Sequence, residues 1–387
     1  MHACLIAVQG ILFFLCLTAI WFYSYSIVAA LGFFSKESQI NPGFAPPISI
    51  LKPIRGLDSD AYENLASCCR QDYPDFQIIF GVQDRNDRGV RVVEQIIRDF
   101  PDVDIRLVVN DRTIGANSKV SNLANIQVEA AHDLLLVADS DIRVGRDYLK
   151  RIVQPMSDSK VGVVTCLYRS IPKGFIASIE ALGISTEFHG GVLVARRMEG
   201  MKFALGSTIL MRRSVLDAIG GFAAVADYLA DDFLLGNLPA QAGYEVVLSD
   251  FVVDHVLDTE NLRGFVSHQT RWNRGTRVSR PWGYVGLIFT HGSASSVLFL
   301  IASSFSLVGW GVVAATWAVR IAMAWIIGAR CLRDSIAARW FWLAPVRDLI
   351  SFGLWVYSFI GNSIEWRGRR YLLLKGGRLE AVASASK

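Results

Sequence analysis

Apolar residues fall in blocks along this chain. From residue 3 to residue 35 no side chain carries a charge. A helix needs about 20 apolar residues to cross a bilayer core, so this stretch is long enough. The first residues lack Lys and Arg, and the run outlasts the apolar core of a cleaved leader. The pattern therefore predicts an uncleaved anchor over 1–35. A second block follows Arg280. Between residues 281 and 319, His291 is the only member of the Asp, Glu, Lys, Arg and His set. That block has room for two spans, at roughly 284–304 and 306–328. A last run at 349–364 is short and reads as non-spanning, within a C-terminal membrane region taken as 281–365. Residues 366–387 read as a basic tail.

Between the blocks the period changes. Short β-branched runs at 48–51, 77–82, 105–109, 134–138 and 161–167 read as strands. Amphipathic stretches at 61–70, 90–100, 119–131 and 146–154 read as helices. Further strands are expected at 204–211 and 245–248. Alternation of this kind predicts an α/β domain built on a parallel sheet, here assigned to 36–261. Residues 262–280 place Leu262, Phe265, Val266 and Trp272 roughly on one helical face, which predicts an interfacial amphipathic helix.

Composition narrows the function. Of 387 residues, 52% are hydrophobic and 19% charged. Mean hydropathy is +0.34. So apolar a chain buries ample surface, which excludes disorder. With 39 basic and 35 acidic residues, charge gives no footprint for nucleic acid. Cysteines 4, 16, 68, 69, 166 and 331 lack C-x-x-C spacing, so neither a zinc site nor a disulfide framework is indicated. Arg263, Arg271, Arg274, Arg277 and Arg280 precede the second apolar block, with no carboxylate among 263–280. The positive-inside rule puts that flank, and the α/β domain with it, in the cytoplasm.

In an open α/β sheet, ligands bind beyond the carboxyl ends of the strands. Two strands end in acids there, at Gln83-Asp84 and at Asp139-Ser140-Asp141. No G-x-G-x-x-G turn follows the first three strands and no P-loop occurs. Carboxylates two apart at a strand end can hold Mg²⁺ or Mn²⁺ together with a substrate diphosphate; the bland alternative is a solvated turn. Asp84 can meet a nucleotide base or ribose, or simply form a turn. Asp231-Asp232 opens a helical pattern. Such acids are often only capping groups, but Asp232 in a dry cleft can take a proton from a hydroxyl. His268-Gln269-Thr270-Arg271-Trp272 offers Arg271 to a diphosphate and Trp272 to an acceptor, or anchors the helix to headgroups. His189 precedes Gly190-Gly191; a lone histidine is more often a packed residue than a working one.

Taken together, these elements resemble the ceramide glucosyltransferase family and its bacterial relatives, the hopanoid-biosynthesis-associated glycosyltransferases. The matching stretches are Leu51-Lys52-Pro53-Ile54-Arg55-Gly56, Gln83-Asp84, Gly115-Ala116-Asn117-Ser118-Lys119, Asp139-Ser140-Asp141, Leu205-Gly206-Ser207, Asp231-Asp232-Phe233 and Arg271-Trp272. The resemblance implies a glycosyltransferase-A (Rossmann-like) domain of the α/β class, with N-terminal and C-terminal transmembrane helices. It implies Asp84, Lys119, Asp139, His189, Asp231, Arg271 and Trp272 as nucleotide- or sugar-binding residues. Asp139 and Asp141 become acids for a divalent metal (Mg²⁺ or Mn²⁺), and Asp232 becomes the catalytic base. His268 stands where the family motif begins with Gln or Arg.

The expected reaction is inverting transfer from a UDP-sugar donor to the hydroxyl of a membrane lipid acceptor, at the surface of the lipid bilayer. N-acetylglucosamine on a hopanoid polyol is the first expectation, with glucose on ceramide as the alternative. The expected location is a bacterial inner membrane. Other classes are a processive polysaccharide synthase and a non-catalytic sugar-nucleotide-binding membrane protein.

Overall fold

The structure, a computed structural model, describes residues 2–36 and 38–382. Eight strands form the main sheet. They are β1 (Ile48–Pro53), β2 (Phe76–Val82), β3 (Asp104–Val109), β4 (Leu134–Val137), β5 (Ile142–Arg143), β6 (Val161–Pro172), β7 (Ile209–Arg212) and β8 (Glu245–Leu257). Their order is β3-β2-β1-β4-β7-β6-β8-β5. The half from β3 to β4 is parallel, as alternation predicts. The all-parallel expectation fails at β7, which runs against both β4 and β6, and at β5, which runs against β8. The chain enters β7 from a turn at residues 205–208, where Leu205 and Thr208 form an isolated bridge. Val137 pairs with Ile209, so that turn sits at the carboxyl edge of β4 and the strand leaving it can only descend the sheet.

The same turn shortens β7 relative to the expected 204–211. The strand expected at 245–248 instead runs on to Leu257. An irregularity lets Cys166 pair with Ser249 and Leu167 with Val252. Polar Ser249 and Asp250 sit in that irregularity and interrupt the local pattern without ending the strand.

Both faces of the sheet are covered, which explains why β1 is buried at every position. Ile48, Ile50, Ile78, Phe80 and Leu136 pack on one side. Leu51, Ile79, Leu135 and Val137 pack on the other, in one cluster with Tyr23, Ala30 and Phe33 of the N-terminal helix and Met323 and Ile327. The period-two alternation of a strand thus ties the α/β core to the helices outside it.

Two helices, His2–Phe34 and Leu307–Cys331, are long and apolar enough to cross a membrane. The straight helix expected at 284–304 is instead a pair, Pro281–Thr290 and Gly292–Ala302, bent by 57°. Close packing accompanies the break: a Cβ on Gly292 would lie 2.6 Å from the Ala19 side chain. Ala344–Ser358 has 15 residues, short of a bilayer crossing. Arg320 and Asp348 are buried where this helix meets the second candidate span. They form a bidentate pair at 2.8 Å on both arms, and Ser293 also donates to Asp348.

Residues after 362 correct the expectation of a tail. β9 (Ser363–Trp366), β10 (Arg369–Leu373) and β11 (Leu379–Ala381) form an antiparallel sheet. Leu229 N donates to Gly377 O and Leu379 N to Asp227 O, so this sheet covers the loop before Asp231. Strands of three to five residues, interleaved with basic side chains, leave too little periodicity to read.

The Leu262–Ser279 helix is capped by Asn261, whose side chain accepts from Gly264 N at 2.9 Å. Much of its apolar face meets protein. Phe265 is 3% exposed, and Trp272 packs against Phe188 and His268. Among the four residues expected on the lipid face, Leu262 alone is strongly exposed, at 64%.

Candidate active site

The chain leaves β4 at Val137, and Asp139 follows at the sheet's carboxyl edge. Asp231 and Asp232 form the first turn of the Asp231–Gln241 helix. Asn117 links the two regions. It caps the Ser118–Gln127 helix by accepting from the backbone N–H groups of Lys119 and Val120. Its amide donates to Tyr228 O at 2.8 Å and to Asp231 Oδ1 at 3.2 Å. Two residues on, Lys119 Nζ lies 2.6 Å from Asp139 Oδ1 and 3.4 Å from Asp231 Oδ2. Gly206 N donates to Asp232 Oδ2 at 3.1 Å. A Cβ on Gly206 would stand 3.1 Å from that oxygen and 3.3 Å from Asp139 Oδ2, so the two carboxylates flank one glycine. Four residues named from the sequence therefore meet: Lys119, Asp139, Asp231 and Asp232.

Three carboxylates around one ammonium leave negative charge in excess. Burial raises Asp139, and Lys119 only partly offsets it. Burial and the neighbouring Asp231 push Asp232 up to about 6. Lys119 is desolvated too, but Asp139, Asp231 and Asp232 overcome that and hold its proton more tightly. Asp232 thus combines a hydrogen-bonded orientation with a proton affinity close to neutral pH, the combination that general-base work asks for.

Asp141 belongs to a different pair. β5 pairs with β8 so that Ile142 faces His255. The His255 Nε2 atom then lies 3.3 Å from Asp141 Oδ2. Burial raises Asp141, but His255 outweighs it and the carboxyl sits below its ordinary range. His255 is displaced the other way, upward, because Asp141 overcomes its burial. His255 escaped the sequence reading, since nothing local marks a histidine on the far stretch of an irregular strand.

A wall of rings adjoins this pair. Tyr168 packs edge-on to His189 and His255 at 4.7 and 5.4 Å, and Phe188 bridges toward Trp272 at 6.2 Å. His189 is fully buried, with Nε2 2.5 Å from Tyr168 O and no partner on Nδ1. Burial brings it down to about 4, so it is neutral at pH 7. His268 Nδ1 meets Glu180 Oε1 at 2.5 Å, and Glu180, with no exposed surface, also accepts from Thr259 and Gln269. Burial raises the Glu180 carboxyl, but these donors, His268 foremost, bring it below its ordinary range. His268 is lowered chiefly by its own burial. The pair is best described as neutral imidazole donating to carboxylate. Arg271 stacks over Trp366 at 5.8 Å, and burial with nearby Arg367 brings it down to about 10, still cationic.

Asp84 stands apart. β2 and β4 flank β1, so Asp84 occupies the same edge as Asp139, about 10 Å away across one strand. It is exposed, and its side chain accepts from Asn86 N in a local turn. No hydrogen bond or ion pair joins it to the other acids among the described residues.

Among the described residues no group of three or more His, Cys, Asp or Glu side chains is arranged to hold an ion. Mg²⁺ and Mn²⁺ nucleotide sites do not need three, because one or two carboxylates and the substrate's phosphates suffice. Hard oxygens on Asp139 and Asp141, in a cluster whose carboxylates outnumber Lys119, fit that requirement.

Ceramide glucosyltransferase 3 of Caenorhabditis elegans is 30% identical over 271 residues, which is 69% of this chain and 58% of that protein. Ceramide glucosyltransferase 1 of the same organism is 24% identical over 88% of this chain and 75% of its own length. This chain thus spans little more than half of the first relative. Among solved structures, a mannosyltransferase from Pyrobaculum calidifontis, in complex with GDP-Man and Mn²⁺, superposes with a TM-score of 0.54. It is 18% identical, over 89% of this chain and 98% of that one, a likeness of fold. Residues 11–379 match the profile of a single family, and on that match the chain belongs to glycosyl transferase family 21.

Proposed function

We propose that this chain transfers a sugar from a UDP-sugar to a hydroxyl of a membrane lipid, with inversion at the anomeric carbon. The carrying observation is Asp232. It is held by Gly206 N–H beside Asp139, with its proton affinity raised to about 6. In one displacement, Asp232 takes the acceptor hydroxyl's proton as that oxygen bonds to the anomeric carbon. The bond from that carbon to the diphosphate oxygen breaks, and UDP leaves with its electron pair. The transition state carries oxocarbenium character. Arg271 faces the charge that develops on the diphosphate. Lys119 keeps Asp139 and Asp231 in place. Asp84 is assigned to the nucleotide, and His189, Tyr168 and Trp272 to the sugar and acceptor. Asp139 and Asp141 would hold a divalent cation, which when bound supplies charge neutralisation to the leaving diphosphate.

The apolar helices support a lipid acceptor, and the arginines of the Leu262–Ser279 helix support a cytoplasmic site. Relatives named ceramide glucosyltransferases favour glucose and ceramide. N-acetylglucosamine on a hopanoid polyol such as bacteriohopanetetrol is the other arm of the test. Purified protein incubated with UDP-glucose or UDP-N-acetylglucosamine, and with ceramide or bacteriohopanetetrol, should yield one glycolipid by mass spectrometry. Absence of any glycolipid across the panel, with UDP-sugar left intact, would end the transferase reading.

A further inference from the structure

A cavity of ≈ 480 Å³ lies on the side of the Leu262–Ser279 helix opposite Trp272, closed by Tyr357 and by Ser363, Ile364 and Glu365. None of the acids of the candidate active site lines it. Its helix wall presents three arginines, Arg263, Arg271 and Arg274, against one carboxylate, the exposed Glu365. Arg263 has neither a hydrogen bond nor an ion pair among the described residues. Among the described residues, Arg271 has only its stack on Trp366. Arg274 donates to the carbonyls of Ile360 and Ser363, while its Nε has no partner. Thr270 lines the same cavity. It is 8% exposed, and its hydroxyl oxygen has no partner among the described residues. The buried Thr270 hydroxyl and Arg274 Nε are costly to leave unpaired unless something fills the space with acceptors, and the exposed Arg263 adds a positive charge at the rim.

We propose that this cavity binds the phosphate headgroup of an anionic phospholipid. Phosphate oxygens accept from the Arg263 guanidinium, from Arg274 Nε and from the Thr270 hydroxyl at once, which leaves Arg271 at the border of the cavity for the diphosphate. The size falls within the usual range of small-ligand pockets, about 300–1,000 Å³. The rest of the wall identifies the ligand as a lipid. Leu262 is 64% exposed and Tyr357 46%, and Phe359 and Ile360 continue the apolar surface beyond Tyr357 at 42% and 67%. An apolar strip beside a cationic pocket matches a glycerophosphate with its acyl chains alongside. A soluble phosphate has no use for the strip. Arg271 belongs both to this cavity and to the neighbourhood of Asp232, whose charge it feels. A bound headgroup therefore steadies the helix that carries Arg271 and Trp272. The site is independent of the transferase assignment, because it is read by binding alone.

The test uses the full chain in nanodiscs of phosphatidylcholine containing a minor share of phosphatidylglycerol. Lipids retained after delipidating washes are quantified by mass spectrometry. Phosphatidylglycerol should be enriched over phosphatidylcholine in the retained fraction. Arg263→Gln and Thr270→Val should each lower that enrichment, about fivefold for the lost charge, at an unchanged Tm. Glu365→Gln should raise it. Equal retention of both lipids by the unaltered protein overturns the proposal, and so does enrichment that survives Arg263→Gln combined with Thr270→Val. Displacement of the retained phosphatidylglycerol by inorganic phosphate alone overturns the lipid assignment in favour of a plain phosphate site.

Discussion

Gly206 donates its backbone N–H to Asp232 at 3.1 Å, and on the same side of that glycine lies the Asp139 carboxylate. The turn before β7 thus spaces Asp232 from the first acid of Asp139-Ser140-Asp141. A methyl group at residue 206 would come within 3.1 and 3.3 Å of the two carboxylate oxygens, tighter than ordinary contact. Gly206→Ala should fold and bind membranes normally, yet lose about 10²-fold in kcat, since small displacements of reacting groups are expensive. Steady-state kinetics on purified protein checks this.

Asp232→Asn should lower turnover by about 10²–10⁴-fold, the usual worth of a general base. The unaltered protein should lose kcat/KM as pH falls through about 6, because protonated Asp232 cannot accept the hydroxyl's proton. The stability effect has the opposite sense. With the folded pKa raised from 3.8 to about 6, ionising Asp232 destabilises the fold, progressively between those values and fully above them. Asp232→Asn should therefore raise Tm at pH 8, by a margin that disappears below pH 4. Unchanged turnover in this variant would point to a different base.

His268 has Glu180 as its partner. A glutamine can make the same donation through its amide. His268→Gln should keep most activity, whereas His268→Ala leaves a fully buried carboxylate short of a donor, at a cost of about 1–3 kcal/mol. Thermal melts of the two variants, read alongside kcat, separate support of the helix from direct contact with substrate.

Arg320 and Asp348 are a buried pair, 1% and 6% exposed at the side chain. Removing one charge strands the other. Arg320→Met or Asp348→Leu should each destabilise the detergent-solubilised protein by about 3–5 kcal/mol, and the double variant by much less. Equal losses in single and double variants would mean that the pair's hydrogen bonds to Ser293 and Thr186 matter more than its charge balance.

Chelation provides a test of the metal assignment. EDTA should abolish turnover and Mn²⁺ or Mg²⁺ should restore it, with Asp139→Asn needing a higher metal concentration than the unaltered protein. Turnover that survives exhaustive chelation removes Asp139 and Asp141 from that role.

The local pattern of residues was enough for much of this architecture. Burial on both faces of β1, β2 and β4 demands unbroken runs such as Leu134-Leu135-Leu136-Val137, and such runs can be read without coordinates. The long N-terminal apolar helix follows from a charge-free stretch long enough for a bilayer. The acids at 139, 231 and 232 follow from strand ends and a helix start. Other features depend on pairings between distant segments, which no local period encodes. β7 reverses because its entry turn lies beside β4. His255 reaches Asp141 only because β5, two residues long, pairs across β8. Glu180 meets His268 from 88 residues away in the chain. The strands after residue 362 are joined by backbone hydrogen bonds to the loop at 227–229, far from them in the chain. Hydrophobic period and chain length thus determine which segments become strands, helices and spans, since those choices are made by neighbours along the backbone. Which carboxylates share a proton field and which arginines go unpaired was decided only when the folded sheet and the returning helices brought those groups into one low-dielectric space.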